Sequence, residues 1–184
     1  MKLQELNTNR TTVFSREAQT GIHQPLKRTN FRAFLVSILV SLSTITLANF
    51  SNRDWLVLHT VGAVVAATGM CVYAWSMVKM CSQLSAAGLE SKPTSLIIIS
   101  ALGSFAYFLC AAASGASMFL CPNRADFFLV PFRAQWTSQQ PGYWWHVLAA
   151  ASEYVLVCNF GLVLLCLANR MKTFKSWRLI RFSV

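Results

Sequence analysis

Four runs of apolar residues, at about 33–50, 55–78, 94–120 and 143–168, decide what this chain can become. At roughly 1.5 Å per residue, each comes close to or exceeds a hydrocarbon core of roughly 30 Å when helical. They are too long and too uniformly apolar for barrel strands, which alternate inward and outward residues. In lipid only helices and closed barrels satisfy every backbone polar group, so helices remain. The expected fold is all-α: a polytopic membrane protein with a four-transmembrane-helix bundle over 33–168. A polar arm, 1–32, precedes it and a basic tail, 169–184, follows. With 55% hydrophobic and only 12% charged residues in 184, the chain lies outside the range of ordinary soluble domains. Its first thirty residues are polar and hold no apolar h-region, so the first span serves as its own insertion signal.

A net charge of +10 would suit nucleic acid, but the placement of the cations argues for a membrane instead. The arm, the loop between the second and third runs, and the tail together hold thirteen Lys and Arg, against three (Arg53, Arg124, Arg133) in the other two loops. Basic residues collect in short cytoplasmic loops, so both termini are expected in the cytosol, with no nucleic-acid partner. The Asn9-Arg10-Thr11 sequon would then never be glycosylated. The second sequon, Asn49-Phe50-Ser51, lies too close to the bilayer for modification.

Local patterns refine the bundle. SNRD between the first two runs makes their helices antiparallel neighbours. Ser37, Ser41, Ser43, Thr44 and Thr46 in the first run predict a helix packed inside the bundle, its hydroxyls bonded to its own backbone or to neighbours. Gly62 with Ala66, Ala63 with Ala67, Ala111 with Gly115, Ala112 with Ala116 and Ala113 with Ser117 are small-xxx-small pairs suited to close helix approach. Gly88 and Pro93 mark the middle connection as a turn. FFLVPF, in the loop 121–142, is too short to span and is expected to fold back onto the bundle or into the interface. The six cysteines show no CxxC or metal-ligand spacing, so no metal or cofactor is expected. Cys81, at the cytosolic end of the second run, is a candidate for palmitoylation.

The last run carries the chemistry of most interest. It opens on Tyr143, Trp144, Trp145 and His146 and closes on Asn169, Arg170 and Lys172, the aromatic and cationic flanks that a bilayer selects. Glu153 is the one carboxylate inside any of the four runs. Ionised at mid-membrane it costs about 2.5–3.5 kcal/mol, so it should face protein or water. Seven residues separate it from His146, about two turns, so both lie on nearly one face. The second run enters from the same side with His59. Asn49, His59, His146 and Glu153 therefore form a candidate intramembrane polar cluster, read either as a packing clasp or as a site that senses protons or lipid headgroups. In the tail, Arg170, Lys172, Lys175, Arg178 and Arg181 alternate with Met171, Phe174, Trp177 and Ile180. This pattern suits an interfacial helix in contact with anionic lipids at the cytosolic face.

Two stretches resemble a known family. LANFSNRDWLVLHTVGA and GYWWHVLAAASEY are similar to the span junction and the last-span opening of the damage-regulated autophagy modulator (DRAM) family. The resemblance runs from Phe34 to about Lys175. Members of that family have six spans, and this chain matches the last four. The resemblance implies a non-enzymatic multi-pass protein of lysosomal or endosomal membranes that promotes autophagy, with protein partners met through the cytosolic arm and tail. Similar proteins imply an alternative, a plasma-membrane adaptor that recruits a phosphoinositide kinase or related lipid-regulating complex. An enzyme or transporter built on Glu153 and two histidines finds no support in motifs, since neither a Ser-His-Asp order nor HExxH occurs.

Overall fold

A computed structural model describes the backbone of residues 2–50, 55–121, 126–129 and 135–173. Side chains are described from Gln24 to Lys172 within those ranges, Asp126 excepted. Among the described residues the fold consists of four long helices, α1 (Lys2–Asn49), α2 (Leu56–Ala86), α3 (Thr94–Leu120) and α4 (Tyr143–Thr173), with a 3₁₀ turn at Asp126–Phe128 before α4. Each contains a stretch long and apolar enough to cross a membrane, Gln24–Asn49 in α1 and nearly the whole of the other three. Large apolar side chains such as Phe34, Leu42, Leu102, Phe105, Phe108 and Leu165 are more than half exposed on the outer surface. Water would not tolerate so continuous an apolar surface, whereas lipid tails are its natural solvent.

Helix boundaries depart from the sequence expectation at two places. Helix α1 continues through the segment read as an arm, with Pro25 inside it. Proline removes one i to i−4 bond, and the next turn is reinforced where the Thr29 hydroxyl donates to the Pro25 carbonyl at 2.9 Å. Helix α2 runs eight residues past the end of its apolar run and stops in a Schellman turn. There the Leu89 N–H donates to Leu84 O and the Gly88 N–H to Ser85 O, while Gly88 takes φ +71°. That left-handed geometry suits glycine, and Pro93 just before α3 prevents the helix from resuming.

The helices pack as two antiparallel pairs, α1 along α2 and α3 along α4, and α2 bridges the pairs. Gly62, Ala66 and Gly69 form the α2 face buried against α1. A Cβ on Gly69 would lie 2.5 Å from Val40 Cγ2, which shows how closely the two backbones approach. On α3 the buried positions are Leu96, Ser100, Gly103, Ala106, Ala113 and Ser117, a spacing of three and four that keeps one narrow stripe on α4. Of the small-residue pairs in the third run, only Ala113 with Ser117 belongs to this stripe; Ala111 and Ala112 are exposed. Nor is α1 an interior helix. It lies on the outside of the bundle, and Ser37, Ser41, Thr44 and Thr46 each bond to a carbonyl of α1 itself. In lipid that intrahelical bond is what makes an outward hydroxyl tolerable.

The core shared by all four helices sits at one end. Ala33 of α1, Ala74, Met77, Val78 and Cys81 of α2, Leu96 of α3 and Val163 of α4 form it, flanked by Tyr73, Met80, Ile99, Cys166 and Leu167. Lys27, Arg28, Arg32, Lys79, Lys92, Arg170 and Lys172 all lie toward this basic end. Trp55, Trp136, Tyr143, Trp144 and Trp145 gather at the other, an arrangement that matches the two interfaces of a bilayer.

Candidate functional site

Three polar constellations are built into the bundle, and they differ from the single cluster expected. At the basic end Arg170, in the last turn of α4, folds back onto the α2–α3 loop. Its Nε donates to Glu90 Oε1 at 2.8 Å, Nη2 to the Ser91 carbonyl at 2.6 Å and Nη1 to the Lys92 carbonyl at 3.5 Å. Both charged side chains are only 12–13% exposed. The planar guanidinium suits this task because it presents several donors in fixed directions, which an ammonium cannot. Arg170 thus ties α4 to the α2–α3 loop, and its charge is spent inside the protein rather than on lipid. Lys172 is exposed. Lys175, Arg178 and Arg181 lie outside the described residues. Cys81 is not a surface thiol. It is 6% exposed and belongs to the four-helix core, so acylation would require it to leave that packing.

Midway along the α3–α4 seam, the side-chain amide of Asn159 lies directly over Gly103, where any Cβ would collide with it. Ser100, 2% exposed, faces the same spot, and its hydroxyl has no hydrogen-bond partner among the described residues. Gly103, Leu156, Asn159 and Ala74 enclose a void of about 10 Å³, room for one water at most. Sequence reasoning passed over Asn159. The signal was available, since an amide in mid-membrane is costly unless it meets another polar group.

At the aromatic end the four expected residues separate. The His59 ring Nδ1 lies 2.9 Å from the Phe50 carbonyl and closes the α1–α2 junction. A carbonyl only accepts, so this nitrogen carries the proton and Nε2 faces away from that bond. Phe50 and Trp55 meet edge to face across the same junction at 5.9 Å. The Asn49 amide donates to Ile45 O of its own helix at 2.8 Å and so belongs to α1 rather than to a shared site. His146 stacks on Trp136, with ring centres 5.4 Å apart and planes 25° from parallel. Trp136, 6% exposed, also takes the edge of Phe127, at 6.2 Å. The described part of the long loop therefore does fold back onto the bundle. Gly142 makes this possible with φ +83°; a Cβ there would press on the Ser117 carbonyl and the Trp136 ring.

Glu153 lies beside the buried Ala149–Ser152–Leu156 stripe, with its own side chain at the surface of the chain. His59 of α2 acts on it electrostatically, and its carboxylate in turn acts on Cys110 of α3. Glu153 of α4 is therefore within electrostatic reach of α2 and α3.

The fold and these sites define an all-α, multi-pass membrane protein. A family model described as the Frag1/DRAM/Sfk1/Cwh43P N-terminal domain matches residues 6–174, and the chain belongs to that family. No curated protein and no solved structure matches it.

Proposed function

We propose that this protein is a non-enzymatic component of endolysosomal membranes that promotes autophagy, with its basic end and both termini in the cytosol. The family match over residues 6–174 carries this reading, because damage-regulated autophagy modulators are among the proteins its description names. The resemblance to DRAM proteins at the α1–α2 junction and at the start of α4 supports that branch. The excess of Lys and Arg at one end supports the orientation. In that orientation His59 and Glu153 lie toward the lumenal side of the bundle. The basic face would meet anionic lipids, and the arm and tail would meet protein partners.

Fluorescence microscopy of the full chain against lysosomal and plasma-membrane markers, with autophagic flux measured on depletion and re-expression, tests the proposal. Lysosomal signal with a flux defect rescued by re-expression is expected. Plasma-membrane signal with unchanged flux would remove this reading in favour of an adaptor that recruits a lipid kinase. Orientation is checked separately at Asn9. A glycosidase-sensitive mass shift lost in Asn9→Gln would reverse the topology.

A further inference from the structure

On the face of the bundle away from α1 and α4, helices α2 and α3 part to form an open groove of about 490 Å³. Its α2 wall is Thr68, Cys71, Val72, Trp75, Ser76 and Lys79; Ser104, Tyr107 and Phe108 form the α3 wall. From Thr68 to Lys79 is eleven residues, so the groove is roughly 16 Å long and runs from mid-bilayer to the basic interface. Two side-chain hydrogen bonds cross it. The Trp75 indole N–H donates to Ser104 Oγ at 2.9 Å, and Thr68 Oγ1 and the Tyr107 hydroxyl are 3.0 Å apart. Ser104 and Ser76 are anchored in turn to Ser100 O and Val72 O. The polar atoms of the floor are thus satisfied within the protein, and an apolar occupant costs them nothing.

The occupant follows from shape and charge. Helix-docking faces in membranes use small residues that let backbones approach, whereas this groove is walled by Trp75, Val72 and Phe108, all large and outward-facing. A thin flexible chain fits between such side chains better than a second helix. At the interfacial mouth stands Lys79, exposed, with no acidic side chain among the lining residues. We propose that the α2–α3 groove binds one anionic phospholipid of the leaflet at the basic end, its headgroup held by Lys79 and one acyl chain lying along Val72, Cys71 and Phe108. The indole of Trp75 sits at the depth where interfacial tryptophans meet glycerol and ester groups.

The full chain, purified in mild detergent, is titrated with dioleoylphosphatidylserine or dioleoylphosphatidylcholine and read by native mass spectrometry. Wild type is expected to retain one phosphatidylserine and to prefer it about fivefold, the effect of one lysine at an anionic headgroup. Lys79→Gln should bring the preference close to one. Val72→Trp, which fills the groove, should abolish retention of both lipids. Size-exclusion profiles are compared so that only monodisperse variants are scored. Retention by Val72→Trp equal to wild type, or an unchanged preference in Lys79→Gln, overturns the proposal. So does a photo-crosslinker at Val72 that captures a protein instead of phospholipid.

Discussion

The basic and aromatic ends of the bundle are built on different principles. At the basic end all four helices share one apolar core around Val78, Leu96 and Val163, and Arg170 locks α4 to the loop after α2 through Glu90 and two carbonyls. At the aromatic end the helices are held in pairs. His59 closes the α1–α2 junction, while Trp136 and His146 seal the start of α4. Glu153 is left at the surface between them. A four-helix core and a buried ion pair hold one end, whereas contacts within helix pairs and an exposed carboxylate mark the other.

The clearest way to break this contrast is to cut the internal ion pair. Arg170→Ala leaves the Glu90 carboxylate buried without its partner and should cost about 3–5 kcal/mol. Thermal unfolding of the detergent-solubilised chain reads this, and Arg170→Ala combined with Glu90→Ala should recover more than half of the loss. If Arg170→Ala costs only the fraction of a kcal/mol typical of exposed pairs, the basic end is held by apolar packing alone.

A subtler test keeps the residue change constant and varies its surroundings. Gly69→Ala and Gly161→Ala gain the same helix propensity, yet a Cβ at Gly69 meets Val40 whereas one at Gly161 meets open space. Overpacking the α1–α2 seam should cost about 1–2 kcal/mol net, while the Gly161 variant should be neutral or slightly more stable. Equal melting temperatures for the two would mean that the helix pair yields without strain.

The smallest structural effect is expected at Glu153. Glu153→Gln keeps shape and hydrogen bonding and should shift stability by less than about 0.6 kcal/mol, the mean for a polar contact in membranes. Its interest lies in function. If autophagic flux in cells with raised and normal lysosomal pH differs for wild type but not for Glu153→Gln, the acid reports on the lumen. An identical pH response in both would leave Glu153 a packing group, and the contrast between the two ends would then be one of stability alone.

Much of this could be read from residue order. Hydropathy and helical length set four spans, because lipid forbids unpaired backbone groups; Gly88 and Pro93 marked the turn, and SNRD made α1 and α2 neighbours. The intrahelical role of the hydroxyls in α1 is one of the two that the sequence allows, since a hydroxyl always has its own i−4 carbonyl within reach. Three-dimensional packing decided the rest. Which small residues are buried depends on how each helix is rotated about its axis, and Ala111, Ala112 and Ala113 differ only in that rotation. Arg170 and Glu90 are eighty residues apart, and no local pattern says that a tail cation will turn inward to a loop. Asn49 and His59 looked like members of one site because they are adjacent in depth, yet a backbone carbonyl within hydrogen-bond range claimed each of them. Sequence fixes the depth of a residue along a membrane helix through a constant rise per residue. Its direction around the helix is set only when the neighbouring helices arrive.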